Sequence, residues 1–121
     1  FLFLGIYFFD SYLDKQKMIQ NKKLEAQNDI KKGIVKRRIG TGFLIIDENY
    51  DKRRKKVDSL ERNKYGFFTE PTGCMIFEED SYYNEAVDEY LQKRNGENWE
   101  KEYEKDLDLI MKEYPYKEYN K

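Results

Sequence analysis

The first nine residues of the chain contain no charged side chain and are apolar apart from a glycine and a tyrosine. A membrane-spanning helix needs about 20 apolar residues, so this run alone is too short to cross a bilayer. Because apolar residues occupy every side of a helix drawn through it, we favour the remnant of a longer membrane anchor. An apolar first turn docked on a soluble domain, or a buried strand, is the alternative.

Polar residues dominate from position 15 to position 32, and only Met18, Ile19 and Leu24 continue the helical apolar pattern. This composition predicts a polar helix or stalk, which Gly33 ends. We therefore divide the chain into an N-terminal segment, residues 1–32, and a single small domain, residues 33–121.

Short apolar runs separated by glycine follow the predicted stalk. Residues 34–39 and 43–47 are rich in β-branched and aromatic side chains, as are residues 65–69 and 74–78. A glycine-containing turn lies within each pair of runs, which favours two hairpins and an antiparallel sheet of about four strands. Residues 48–63 stay open, because Tyr50, Val57 and Leu60 form only a weak helical stripe.

The last third of the chain has the clearest periodicity. Two stripes at helical spacing predict two helices, the first from Asp80 or Ser81 to the Asn95–Gly96 stop and the second from Asn98 to Pro115. Their members are Tyr83, Ala86, Val87, Tyr90 and Leu91, then Trp99, Tyr103, Leu107, Ile110, Met111 and Tyr114. We expect an α+β fold with an N-terminal helix, the small sheet, and a C-terminal helical hairpin packed on one face.

Composition narrows the chemistry available to the protein. The 121 residues favour one domain, and 39% of them are charged, well above the usual proportion of about 25%. The absence of histidine excludes His-based triads and His metal ligands, and the single cysteine, Cys74, excludes an intrachain disulfide. No residue pattern specifies a cofactor or a metal, so we expect neither.

Charge is distributed unevenly although the whole chain carries a net charge of only −1. Residues 1–66 have a net charge of +7, and residues 67–121 have a net charge of −8. The two parts either pack together and neutralise each other or present separate charged surfaces to partners.

One basic run is dense enough to suggest binding to an anionic surface. Five consecutive cations, which we call the basic cluster, are Lys52, Arg53, Arg54, Lys55 and Lys56. Clustered cations bind phosphates of lipid headgroups or of nucleic acid, but the run contains no aromatic residue on which bases would stack. We keep an anionic membrane or another polyanion as the alternative partner and do not favour nucleic acid.

Carboxylates and tyrosines are concentrated in the two C-terminal helices and the tail. Tyrosine is enriched at protein interfaces, and acidic charge accelerates encounter with a basic partner. The predicted docking face comprises Tyr82, Glu85, Asp88, Glu89, Glu100, Glu102, Glu104, Tyr116 and Tyr119. We therefore expect a non-catalytic protein-binding domain, by class analogy an inhibitor or a toxin-neutralising immunity protein, tethered to a membrane.

Two further expectations are weaker. Clustered carboxylates such as Glu78, Glu79 and Asp80 leave a carboxylate-dependent hydrolase as a second alternative, although no catalytic residue is indicated. We expect membrane association on the extracytoplasmic face of a bacterial cell; Lys15 and Lys17 after the apolar run would instead favour the cytoplasmic side.

Overall fold

The computed structural model describes residues 2–40, 46–73 and 77–119. Most of the described residues lie in helices, which makes the fold mostly helical. The described elements, in chain order, are α1 (Leu2–Lys31), β1 (Lys36–Ile39), α2 (Tyr50–Leu60), a π-helical turn (Glu61–Tyr65), β2 (Phe68–Pro71), α3 (Glu78–Asn95) and α4 (Trp99–Glu113).

Helix α1 is a single helix of 30 residues, about 45 Å long at 1.5 Å per residue. It ends where the sequence predicts, because Gly33 adopts a φ of 84° that other residues rarely adopt. The amide of Ile34 donates to the carbonyl of Asp29 at 2.8 Å, and the amide of Gly33 donates to that of Ile30 at 3.0 Å. These two bonds satisfy the last carbonyls of the helix.

The predicted antiparallel sheet of four strands is wrong. The described strands, β1 and β2, form a parallel pair in which Lys36 lies opposite Phe68 and Ile39 lies opposite Pro71. Parallel neighbours cannot be joined by a tight turn and need a crossover. Helix α2 supplies that crossover, so the chain does not return as a hairpin after β1.

The four predicted strands have different outcomes. The first corresponds to β1, and the third is shifted towards the C-terminus, since Tyr65 ends the π-helical turn and the strand begins at Phe68. In the second, residues 43–45 lie outside the described residues, whereas Ile46 and Asp47 are not in a strand. In the fourth, residues 74–76, including Cys74, also lie outside them, and Glu78 begins α3 instead.

The undecided segment of residues 48–63 forms α2 and part of the π-helical turn. Helix α2 contains no buried residue, which explains its weak apolar stripe. The π-helical turn ends at Gly66, which has a φ of 77° and donates its amide to the carbonyl of Glu61 at 2.7 Å. A Cβ at this position would lie 2.6 Å from the Arg94 guanidinium.

The core lies between the helices and the small sheet. On α3 the predicted stripe is confirmed: Tyr83, Val87 and Leu91 are fully buried. On α4 the stripe is confirmed for Trp99 and Ile110, whereas Met111 is half exposed. Aromatic rings carry much of this core, since Tyr65, Phe67, Trp99 and Tyr103 contact one another with ring centroids 5.3–6.1 Å apart.

Helices α3 and α4 do not form a hairpin packed on one face of the sheet. Helix α3 lies against α1 and β1, whereas α4 lies against α2. Helix α4 takes this position because Tyr65 and Phe67, which follow α2, cover the apolar side of Trp99 and Tyr103. The two helices of the predicted hairpin therefore pack mainly on different elements.

Opposite charges of the two parts of the chain meet along α1 and α3. Cations of α1 pair with carboxylates of α3: Lys15 with Glu78 at 3.1 Å, Lys22 with Glu79 at 4.0 Å and Lys23 with Glu85 at 3.7 Å. Much of the charge difference between residues 1–66 and residues 67–121 is therefore neutralised by pairing within the fold. This outcome is the one expected if the two parts pack together.

The outer edge of β1 is closed by a side chain. In a parallel strand the N–H and C=O of one residue point to the same side, and those of Arg38 point away from β2. The amide of Arg38 donates to Asn84 Oδ1 at 2.7 Å, and Asn84 Nδ2 donates to the Arg38 carbonyl at 2.6 Å. The Arg38 guanidinium, 3.9 Å from the Tyr83 ring centroid, also pairs with Glu25 and Asp80.

None of the described helices is both long enough and apolar enough to cross a bilayer.

Candidate binding site

An open groove of about 690 Å³ lies beside α3 and the start of α4. Helix α3 presents Glu85, Asp88 and Glu89 on one side, because positions three and four apart share a helix face. Glu97, in the connection, and Glu100, in the first turn of α4, line the same groove. We call these five carboxylates the acidic groove.

The innermost carboxylate of the groove is Asp88. Its Oδ1 lies 2.9 Å from Arg37 Nε, and its Oδ2 accepts a hydrogen bond from Arg37 Nη2 at 3.5 Å. Burial raises the pKa of Asp88 above its usual range, the nearby Glu100 adds to the increase, and Arg37 opposes it. The raised pKa follows mainly from burial, and the repulsion from Glu100 is a smaller contribution.

The other four carboxylates of the groove differ in whether a cation of the chain pairs with them. Glu85 pairs with Lys23 of α1, which also lines the groove. Glu89, Glu97 and Glu100 are exposed, and none of them forms an ion pair with the part of the chain that the structure describes. The exposed cation Lys101 also lines the groove, so the three exposed carboxylates outnumber one exposed cation and attract a cationic ligand.

The indole of Trp99 lines the groove from the inside. Its side chain is only 3% exposed and packs in the aromatic core. The Arg37 guanidinium lies 5.6 Å from the Trp99 ring centroid and 5.8 Å from that of Phe67, within the range of a cation–π interaction. Arg37 thereby connects Asp88 to the rigid core, which holds the carboxylate in place.

The structure brings together only part of the predicted docking face. Glu85, Asp88, Glu89 and Glu100 line the groove, but the other members lie elsewhere. Glu102 pairs with Lys64 at 3.0 Å, and the Tyr82 hydroxyl donates to Glu78 at 2.9 Å. The members that do not line the groove are Tyr82, Glu102, Glu104, Tyr116 and Tyr119.

Five residues that line the groove lie outside the predicted docking face: Lys23, Gln92, Glu97, Trp99 and Lys101. Glu97 lies in the connection between two helices, where helical periodicity carries no information. Lys23 comes from α1, and its proximity to Glu85 depends on how α1 packs on α3. Only the neighbouring Asn95–Gly96 stop indicated that the chain changes direction near Glu97.

The basic cluster is not uniform. Arg53 donates to both carboxylate oxygens of Asp47, at 3.1 and 2.5 Å, and its Nη1 also donates to the Tyr114 carbonyl at 2.9 Å. This ion pair lowers the pKa of Asp47, whose side chain is almost fully buried. Arg53 therefore holds the C-terminal tail against α2, and the exposed cations of the basic cluster are Lys52, Arg54, Lys55 and Lys56.

A second carboxylate, Glu61, is buried in the core with a relative exposure of 2%. It accepts hydrogen bonds from the Thr69 hydroxyl at 3.0 Å and from the Tyr103 hydroxyl at 2.5 Å. Burial and this bond raise the pKa of Tyr103 above its ordinary value. Burial, together with a comparable bond that Tyr65 donates to Asp106 at 2.6 Å, raises the pKa of Tyr65 to about 12. Glu61 is buried and bonded to core side chains, so we assign it to stability.

Comparisons with protein-family models, with curated proteins and with solved structures give no match to this chain.

Proposed function

We propose that the protein is a non-catalytic binding domain that docks a basic partner protein in the acidic groove. The observation that carries this proposal is the convergence of five carboxylates, from two helices and their connection, on one open groove. Long-range attraction between such a surface and a cationic partner accelerates association. Inhibitors and immunity proteins that neutralise basic toxins are the subtype that fits this surface by class analogy.

Binding suits the groove better than hydrolysis, the second alternative. A general acid needs a protonated carboxyl placed to reach a substrate. Asp88, the groove carboxylate with a raised pKa, is engaged by Arg37 on the inner side of the groove. The exposed carboxylates around it match the cations of a partner rather than a reacting bond.

The proposal predicts that reversing the exposed charges of the groove abolishes most of its attraction for cations. We expect the variant E89K/E97K/E100K to associate at least about tenfold more slowly with a deca-arginine peptide at low salt. Its association rate should also vary less with salt concentration. Stopped-flow recording of Trp99 fluorescence measures both, since this is the one tryptophan of the chain.

The matched control reverses three exposed carboxylates of α4 that do not line the groove, Glu104, Asp108 and Glu113. The E104K/D108K/E113K variant has the same net charge as the groove variant. If both variants slow association equally, net charge explains the effect and the groove has no special role. If both variants bind deca-arginine as fast as the unmodified chain does, the proposal is contradicted directly.

A second candidate function is binding to an anionic surface through α2. Lys52, Arg54, Lys55 and Lys56 are exposed, and none of them forms an ion pair with the described residues. Cations in such a cluster contribute about 1 kcal/mol each near an anionic membrane. This density of unpaired cations on one short helix favours the second candidate.

We expect replacement of these four cations by glutamine to abolish the extra binding that vesicles gain when phosphatidylserine is added to phosphatidylcholine. The extra binding should also disappear in 0.5 M salt, where charges are screened beyond about 4 Å. Glutamine at four other exposed cations, Lys93, Lys101, Lys105 and Lys112, is the comparison. An equal loss in both variants would argue against a specific role for α2.

In both candidate functions we place the protein at a membrane, on the extracytoplasmic face of a bacterial cell. The apolar start of α1 supports the membrane association. The side of the membrane is part of the proposal, and the cytoplasmic face is its alternative.

A further inference from the structure

The N-terminal end of α1 exposes apolar side chains to solvent. We call residues 2–13 the apolar end. Ile6, Phe9 and Tyr12 are 59%, 60% and 59% exposed, and Leu13 is 38% exposed. From Lys15 onward α1 follows α3, beginning with the ion pair to Glu78. A surface of this kind marks a binding site for a protein or a membrane.

The order of residues along α1 favours a lipid surface as the occupant. A helix that packs on a protein or on its own copy usually keeps a polar side for water, but residues 2–9 include no charged residue. Tyr12 follows, then Lys15, which pairs with Glu78, and then Lys17. Apolar residues, an aromatic ring and cations in this order match the acyl region, the interface and the phosphates of a bilayer. Asp10 and Asp14 are exposed acidic residues near the C-terminal limit of this segment.

We infer that the apolar end embeds in a lipid surface and that the rest of α1 is a rigid spacer for the acidic groove. The inference shares its placement at a membrane with the proposed function, and it rests on the proposed docking of a basic partner only for the role of the groove. Helix α1 is unbroken to Lys31, and ion pairs to α3 fix its second half. The chain therefore has no hinge between the apolar end and the residues that line the groove.

The length of the spacer has an electrostatic consequence. About ten residues separate Leu13 from Lys23, where α1 reaches the groove, which is roughly 15 Å along the helix axis. The negative potential of a membrane decays over a Debye length of about 8 Å at physiological salt. A groove at this distance avoids most of the repulsion from anionic lipids and stays available to a cationic partner.

Flotation of the full chain with phosphatidylcholine vesicles containing phosphatidylserine tests the contact with lipid. We expect I6S/F9S to lower the partition coefficient at least about tenfold, because apolar area determines such binding. The matched control is L24S: Leu24 is also an exposed apolar residue of α1, at 54%, but lies in the half that follows α3. L24S should float like the unmodified chain, and circular dichroism should show the same helix content in all three proteins.

Undiminished flotation of I6S/F9S would overturn the inference. So would a dimer in lipid-free solution that I6S/F9S converts to a monomer, because the occupant would then be a second copy. The groove variant E89K/E97K/E100K separates the two proposals. If it floats normally while the unmodified chain fails to bind deca-arginine, the proposed function is wrong and the lipid contact holds.

Quenching by brominated acyl chains tests the spacer. In vesicle-bound protein we expect the emission of Trp99 to be unaffected, because the groove lies above the headgroups. The F9W variant adds a tryptophan to the apolar end, and that added emission should be quenched. Quenching of Trp99 in the unmodified chain would show that the domain lies on the bilayer, and the rigid spacer would be wrong.

Discussion

Replacing Trp99 by alanine should lower the free energy of unfolding by about 3–5 kcal/mol, the usual cost of removing a buried aromatic side chain. Trp99 is 3% exposed and contacts the rings of Tyr65, Phe67 and Tyr103. Its removal leaves a cavity and deprives the Arg37 guanidinium of one of its two rings. Urea denaturation followed by circular dichroism measures the change.

An exposed position on the same helix provides the comparison for W99A. Leu109 is 62% exposed on α4, so L109A should change the unfolding free energy by no more than about 0.5 kcal/mol. Similar losses in both variants would mean that burial does not determine these contributions, since alanine itself favours a helix. A loss below 1 kcal/mol for W99A would show that the aromatic core is not packed as described.

We expect Y103F to lower the free energy of unfolding by about 1.5–3 kcal/mol, the usual contribution of a hydrogen bond to a charged group. The variant keeps the ring of Tyr103 but removes one of the two hydroxyl donors of buried Glu61. Thr69 is then the remaining side-chain donor to this carboxylate among the described residues. Chemical denaturation measures the loss, and a cycle with T69V measures the coupling between the two donors.

Tyr90 supplies the matched tyrosine for Y103F. It is half-buried on α3, and its hydroxyl has no hydrogen-bond partner among the described residues, so Y90F should be nearly neutral.

The pKa of Tyr103 is raised above its ordinary value of 10.0, so the folded state retains this proton longer than the unfolded state. The bond therefore contributes fully below pH 10 and is lost as pH rises through the folded pKa. The difference between Y103F and the unmodified chain should shrink above pH 10, and a constant difference would contradict this assignment.

Helix ends and buried helix faces were predictable from the sequence because local chemistry determines them. Gly33 ends α1 by adopting a left-handed conformation, and Asn95–Gly96 ends α3 as expected. The stripe from Tyr83 to Leu91 identified the buried side of α3 because helical spacing and burial coincide. Pro115 follows the end of α4, where a helix cannot continue.

The sheet was not predictable for a physical reason. Strand β1 consists of Lys36–Ile39, three of whose four residues are cations, so its burial pattern does not alternate. Its partner lies about 30 residues further along the chain, and a local pattern does not reveal that distance. The sequence pattern did not predict α2, because this helix buries no residue and therefore needs no apolar stripe.

The candidate site was predictable only within one helix. Glu85, Asp88 and Glu89 share a face of α3 at helical spacing, and this much follows from the sequence. Glu97 and Glu100 join them only because the connection after Asn95 turns towards that face. Arg53 pairs with Asp47, which removes one cation from the basic cluster. The sequence did not predict this pairing because it depends on the tail, which folds back against α2.

The amide of Asn84 makes the contacts with Arg38 that a third strand would otherwise make. A foreign β-segment approaching this side of β1 would find the Arg38 N–H and C=O already occupied. Open strand borders are the usual starting points for fibril growth and for exchange of strands between molecules. A single side chain from a helix thus blocks the β1 side of a very small sheet against such additions in a concentrated solution.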